Sequence, residues 1–246
     1  MRIIFKFSIL LLLLINSFSL SLFAQGEILF KAGTDLSSSL INHVFQDKAG
    51  LVWISTEDGL NIYNGVSFFS LRHDDSDTTT LLSNYVRSVF QTKDGEIFIG
   101  TNNGLQYFDC ATQKLSIVRA YMSSGKYLSG VSVSSICQVN DTLVLIGSSG
   151  YGLFTLKKIG SGEYEMHRAS LVNKPFVEKV AVSPDGCVFV SYLNGSVVKV
   201  DQSLNLLDVV EIGVSETAFA ITADSSGHVF FGTSLGRVLL YDNTTE

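Results

Sequence analysis

The stretch VFQDKAGLVWISTEDGLNIYN, residues 44–64, decides the fold because the chain repeats it. It lies without a gap over VFQTKDGEIFIGTNNGLQYFD, residues 89–109. Asp47-Lys48-Ala49-Gly50 falls on Thr92-Lys93-Asp94-Gly95, Trp53-Ile54-Ser55-Thr56 on Phe98-Ile99-Gly100-Thr101, and Gly59-Leu60 on Gly104-Leu105. Three weaker copies follow. ICQVNDTLVLIGSSGYGLFTL (136–156) has Asp141 in place of the first turn glycine. VAVSPDGCVFVSYLNGSVVKV (180–200) keeps Pro184-Asp185-Gly186 and Asn194-Gly195. AITADSSGHVFFGTSLGRVLL (220–240) restores Phe231-Gly232-Thr233 and Gly236. The period, about 45 residues, suits a four-stranded unit.

Inside a unit the pattern alternates and Asp-Gly or Asn-Gly pairs mark tight hairpin turns, so successive strands are antiparallel neighbours. Apolar residues fall on both faces, as in sheets covered on both sides. The expected strands are 41–46, 51–56, 59–64 and 66–71; 86–91, 96–101, 104–109 and 114–119; 132–138, 142–147, 152–157 and 163–168; 177–182, 187–192, 195–200 and 205–210; and 217–222, 228–233 and 236–241. The fold class expected is all-β, a β-propeller of four-stranded antiparallel blades. Five blades are expected, over about 36–71, 84–119, 131–168, 177–210 and 217–242. They form either a closed ring or part of a larger one. EILFKA (27–32) can close a ring as the outer strand of the last blade and remove two exposed edges.

The 246 residues, 46% apolar and 16% charged, support one large domain. The net charge of −6 and the lack of a basic run past the N-terminus exclude a nucleic-acid-binding surface. Arg2 and Lys6, the Leu-rich run 9–15 and the small residues ending at Ala24 read as a signal peptide, residues 1–24, exporting the domain 25–246 to the periplasm. The apolar run is shorter than the ~20 residues of a spanning helix. No membrane span is expected after it. Cys110, Cys137 and Cys187 show no metal-type spacing and read as small hydrophobes, with Cys137–Cys187 the one pair worth testing as a bridge.

Asn42, Asp47, Gly50, Trp53-Ile54-Ser55-Thr56 and Gly59-Leu60, followed by their second-unit partners Asn84, Asp94-Gly95, Phe98-Ile99-Gly100-Thr101 and Gly104-Leu105, closely resemble the two-component regulator propeller repeat. LRHDDSDTTTLLSNYV (71–86) looks like the linker between such repeats. The resemblance implies the periplasmic sensor region of hybrid two-component receptors of Bacteroidetes-type bacteria. Such receptors are thought to sense glycan fragments and to control glycan-utilisation genes. It implies an oligosaccharide ligand and, as partners, the remaining blades and sensor parts of a larger receptor or a homodimer. Kinase and DNA-binding parts are not found in this sequence, and the chain is read as no enzyme. The alternatives are an exported glycosidase or lyase, or a protein-interaction scaffold.

No catalytic, cofactor-binding or metal residue is assigned, and no cofactor is expected. Trp53 shares its repeat position with Phe98 and Phe231, which reads as packing rather than sugar stacking. HDDSD (73–77) lacks the spacing of a calcium loop. Glu57-Asp58 could serve as a glycosidase acid and base, but Asn102-Asn103 and Ser234-Leu235 replace it in other units, which reads as turn formation. His43, His73, His167 and His228 are scattered. A ligand site is expected on the rim of fourth-to-first-strand connections (72–84, 120–131, 169–176, 211–216) and second-to-third-strand turns. These bring Glu57-Asp58, Asn102-Asn103, Ser148-Ser149 and Asn194. Scaffold strands repeat there while loops vary.

Overall fold

The computed structural model describes residues 29–170, 174–193, 195–213 and 215–242. The expected signal peptide (1–24), residues 27–28 of the expected closing strand, and Asn194 lie outside them. Within 27–32, Ala32 makes an isolated bridge to Leu36. Among the described residues no helix is long and apolar enough to cross a membrane.

The chain is all-β. The first repeat forms β1 (Ile41–Gln46), β2 (Val52–Thr56), β3 (Gly59–Tyr63) and β4 (Phe68–Leu71). The second forms β5 (Val86–Gln91), β6 (Ile97–Thr101), β7 (Gly104–Asp109) and β8 (Lys114–Tyr121), followed by a short β9 (Tyr127–Leu128). The third forms β10 (Ser132–Gln138), β11 (Val144–Ser149), β12 (Gly152–Gly160) and β13 (Glu163–Arg168). The fourth forms β14 (Val177–Val182), β15 (Val188–Tyr192), β16 (Ser196–Val200) and β17 (Leu206–Glu211). The fifth forms β18 (Ala218–Ala223), β19 (His228–Thr233) and β20 (Val238–Asp242).

The turns explain the repeated letters. Asp47 Oδ1 accepts the N–H groups of Ala49 and Leu51, each at 2.9 Å, closing the first hairpin around Gly50 (φ 87°). Asn140 and Asp224 do the same in later repeats. These are side-chain-organised turns, with glycine where φ must be positive. Thr56 Oγ1 donates to Gly59 O and accepts from Asp58 N, and Thr101 repeats both bonds with Gly104 and Asn103. The Thr that follows each W-I-S or F-I-G triplet therefore ties the next turn.

The expected propeller of separate four-stranded blades is not what forms. The first and fourth repeats make four-stranded sheets, β1-β2-β3-β4 and β14-β15-β16-β17, and the fifth makes β18-β19-β20. The second and third repeats merge. β13 pairs parallel with β8 at Glu165–Arg119, Met166–Ala120 and His167–Tyr121, joining them into one nine-stranded sheet. That major sheet curls through 314° into a near-closed barrel with an unsealed seam. Its end strands β5 and β10 approach there without a hydrogen-bonded ladder. The physical reason is edge pairing: two outer strands that would each be left open satisfy one another's backbone groups. The curled sheet encloses Phe98, Leu105, Val118, Val133, Ile146, Phe154 and Met166.

The remaining cores lie between successive sheets. Trp53, Leu60 and Ile62 pack on Val86 and Val89 of the second repeat. Leu145 and Leu153 pack on Val177 and Val180 of the fourth. Phe189 and Val197 pack on Ala218, Ile221 and Phe231 of the fifth. By strand register, Trp53, Phe98, Leu145, Phe189 and Phe230 share one position, opposite Phe45, Phe90, Cys137, Ala181 and Thr222. Phe230, rather than Phe231, is thus the counterpart of Trp53. Two adjacent phenylalanines made the sequence alignment ambiguous by one residue. Cys137 belongs to the core between the third and fourth repeats and Cys187 to that between the fourth and fifth, and both are free thiols. The tested pairing does not form. Burial pushes the Cys137 thiol up to about 11.

Candidate functional site

Every first strand carries a one-residue register shift. It falls between Ile41 and His43, Val86 and Ser88, Val133 and Ser135, Val177 and Lys179, and Ala218 and Ala220. A β-bulge leaves one residue outside the ladder and re-aims its side chain. The residues so placed are Asn42, Arg87, Ser134, Glu178 and Phe219, different in all five repeats. Their neighbours Ile41, Val86, Val133, Val177 and Ala218 are uniformly apolar.

Arg87 organises the expected rim. Its guanidinium donates to Ser149 Oγ at 3.0 Å, to Ser132 Oγ at 3.4 Å and to Glu178 Oε2 at 3.3 Å. Ser132 Oγ donates in turn to Asn102 Oδ1 at 3.1 Å. One side chain of the second repeat thus reaches the third and fourth. The Glu178 side chain is 10% exposed. Burial raises its pKa, and the adjacent Arg87 charge and hydrogen bond work against that rise.

One step along the bulged strands stand His43 and Lys179. Burial, helped by the Lys179 charge, lowers the His43 pKa to about 4. Burial lowers that of Lys179 as well. His43 Nδ1 accepts from Val89 N at 3.4 Å, so the neutral ring also ties the first repeat to the second. Beside the network, a hollow of about 180 Å3 is lined by Leu82, Asn103, Tyr127 and Gly130 from the same rim loops.

The other expected candidates are spent on structure. Glu57 accepts from the Tyr85 hydroxyl at 3.1 Å, while Asp58 pairs with Arg72 at 2.7 Å. The two adjacent carboxylates therefore serve different partners. In HDDSD, Asp74 accepts from Ser76 and Asp77 from Thr79, which lowers both carboxyl pKa values. Among the described residues no group of three His, Cys, Asp or Glu could hold a metal ion. His167 stacks on Tyr121 with centroids 5.3 Å apart, and His228 pairs with Asp224 at 2.8 Å. Trp53 is 1% exposed, edge-on to Phe108 at 5.4 Å, and donates its indole N–H to Asp47 at 2.9 Å.

A larger hollow, about 650 Å3, opens on the opposite rim between the first sheet and the nine-stranded one, lined by Leu51, Ile62, Phe69, Phe108 and Gln113. It exists because β4 ends as an edge there, whereas β8 is sealed by β13. Asp47, its one carboxylate, already accepts three hydrogen bonds.

Sequence reasoning did not single out Arg87, Glu178 or Lys179. The available signal was a charged residue inside a first strand at the position where the first repeat has Asn42.

Residues 35–58 and 80–103 match the family model described as two component regulator propeller. Two stretches, one in each of the first two sequence copies, thus match the regulator propeller repeat. Each match starts just before a buried linker leucine, Leu36 or Leu81, and ends in the second-to-third-strand turn. The regulator repeats also have structural likenesses. The extracellular domain of a B. thetaiotaomicron protein described as a hybrid two component system is 21% identical with a TM-score of 0.72, over 89% of this chain and 31% of that one. The extracellular domain of another, described as a one component system, is 17% identical with a TM-score of 0.69, over 84% and 30%. PorZ, a surface component of the type-IX secretion system of Porphyromonas gingivalis, is 13% identical with a TM-score of 0.65, over 89% and 35%. The chain thus spans about a third of the length of these structures. No curated protein sequence matches it.

Proposed function

We propose that the chain is an exported sensor module of a two-component-type receptor, and that it recognises an oligosaccharide at the Arg87–Glu178 rim. It is a binding module and not an enzyme. The likeness to sensor ectodomains over 84–89% of the chain supports this. The observation that carries the reading is the bulge series: five structurally equivalent positions present five different side chains, and those of the second and fourth repeats meet directly.

Adjacent hydroxyls of a sugar need paired donors and acceptors at fixed spacing. Arg87 supplies a planar set of donors, Glu178 and Asn102 supply acceptors, and Ser132 and Ser149 can serve as either. Because these groups come from three repeats, a ligand bound among them links the nine-stranded sheet to the fourth repeat. Such a ligand stabilises the arrangement it binds by mass action. Control of glycan-utilisation genes would then follow through kinase parts elsewhere in a receptor. Thermal shift against a panel of neutral and acidic oligosaccharides tests the reading. A rise in melting temperature with at least one class is expected, and no response to any class contradicts it.

A further inference from the structure

The junctions between successive repeats share one register, and a single position decides how each is filled. Asp109 pairs with Lys114 across the β7–β8 turn, and Lys157 with Glu165 between β12 and β13. Asp201 N donates to Asn205 O just before β17. The residue preceding Lys114, Glu165 and Asn205 is therefore one position, held by Gln113, Tyr164 and Leu204. Gln113 and Leu204 share a positive φ, 56° and 65°, and each donates its N–H to the carbonyl of its turn aspartate. Tyr164 is buried in the core shared by the second and third repeats, and Leu204 packs on the core between the third and fourth. Gln113 is exposed, and its side-chain amide has no partner among the described residues. Beside it lies the hollow of about 650 Å3 between the first and second repeats.

The next junction shows what this slot accepts. The Tyr164 ring, 5% exposed, has its centroid 5.0 Å from those of Phe98 and Tyr107, edge-on to the first. Its hydroxyl donates to Glu96, which also pairs with Lys158 at 2.6 Å. At the first junction, strand register puts Trp53 and Ile62 in the places of Phe98 and Tyr107, and Phe108 in the place of Leu156. Leu51 stands one residue before β2 as Glu96 does before β6, and Cys110 follows Asp109 as Lys158 follows Lys157. The apolar walls are kept, while the ion pair and the filling ring are gone. The charges that remain are already used. Asp47 accepts three hydrogen bonds, and Lys48 Nζ donates to Lys93 O. Such a slot disfavours a charged ligand, which would be buried without a partner. Its volume falls within the ~300–1,000 Å3 of small-molecule sites.

We propose that this hollow is a second binding site, for an uncharged phenolic small molecule whose ring takes the place that Tyr164 takes one repeat later. The class of occupant is read from the molecule itself, which fills the equivalent slot with a phenol of its own. Trp53 and Phe108 offer ring edges and faces of the kind that pack edge-on or offset against another aromatic. The free amide of Gln113 offers the ligand hydroxyl the partner that Glu96 offers Tyr164. The site lies on the rim opposite Arg87 and does not rest on the oligosaccharide reading.

Para-cresol, the tyrosine side chain as a free molecule, is the probe, and Trp53, the chain's one tryptophan and part of the wall, is the reporter. Titration is expected to change Trp53 fluorescence saturably and to raise the melting temperature. Cyclohexanol, of similar size without the aromatic ring, and benzoate, a ring carrying a charge, are each expected to bind at least tenfold more weakly. Gln113→Tyr supplies the missing ring from the chain itself. It is expected to melt no lower than wild type and to weaken para-cresol binding at least tenfold. Should that variant fail to fold, Cys110→Phe, at an exposed position of the mouth, replaces it. No saturable change in Trp53 fluorescence overturns the proposal. So does equal binding of cyclohexanol or benzoate, or para-cresol binding that is undiminished in the filled variant.

Discussion

The two rims of the repeat array are built from the same strands and behave oppositely. On one, Asp47, Asn140 and Asp224 each accept the N–H groups of their own turn, and Gln91 and Gln138 latch neighbouring turns in the same way. On the other, the bulged positions carry Asn42, Arg87, Ser134, Glu178 and Phe219; Asn42 and Ser134 donate to equivalent carbonyls of the next repeat, Val86 O and Val177 O, while Arg87 instead reaches the Glu178 carboxylate two repeats on. Agreement between repeats marks what every sheet needs in order to pack. Disagreement at a position the backbone holds constant marks where packing does not dictate the side chain, and it is there that we place the proposed recognition.

The largest expected effect comes from breaking the agreeing set. Trp53→Ala should cost about 3–5 kcal/mol in chemical denaturation, as for a large aromatic removed from a closed core. Phe230→Ala, at the same position on the uncovered last sheet, should cost about 1 kcal/mol or less. Equal losses would break the equivalence drawn between covered and uncovered faces.

Next comes pH. The His43 pKa is lowered to about 4 in the folded chain, against 6.5 for the free side chain. The unfolded chain therefore binds more protons between these values, so stability is full above about 6.5 and is lost as pH falls toward 4. The expected loss is at most about 3 kcal/mol. His43→Gln should flatten that limb of the stability profile. An unchanged acid limb would show that His43 is not held neutral between the first two repeats.

A smaller effect separates two glycines of one repeat position. A β-carbon on Gly147 would lie 2.6 Å from Val177 Cγ1 of the next repeat, whereas on Gly232 its nearest neighbour would be Ala220 Cβ of the same sheet, at 3.3 Å. Gly147→Ala should lose about 1–3 kcal/mol. Gly232→Ala should stay within about 0.5 kcal/mol. A comparable effect belongs to the disagreeing rim: Arg87→Ala should cost about 1–3 kcal/mol, since it leaves the largely buried Glu178 carboxylate without its partner. A larger loss would make Arg87 a structural residue.

Much of the strand layout was legible because hairpin turns and alternation are local signals. The first strands 41–46, 86–91, 132–138 and 177–182 end where expected. The packing role of Trp53 was legible too, from its recurrence as Phe98. The merger of β8 with β13 was not, because pairing between two outer strands follows from their approach in space and leaves no mark in either. It also carries β8 on to Tyr121, two residues past its expected end at 119. Arg87 and Glu178 lie 91 residues apart and are joined only through bulges. In an alternating pattern a bulge looks like a lapse rather than a device.

The measurement that tests the account most directly is calorimetric titration with an oligosaccharide class that stabilises the chain, using wild type, Arg87→Ala and, on the opposite rim, Gln113→Ala. The account predicts that Arg87→Ala weakens binding at least tenfold while Gln113→Ala binds as wild type does. Binding that survives in Arg87→Ala and is lost in Gln113→Ala would place recognition in the hollow between the first two repeats and contradict it.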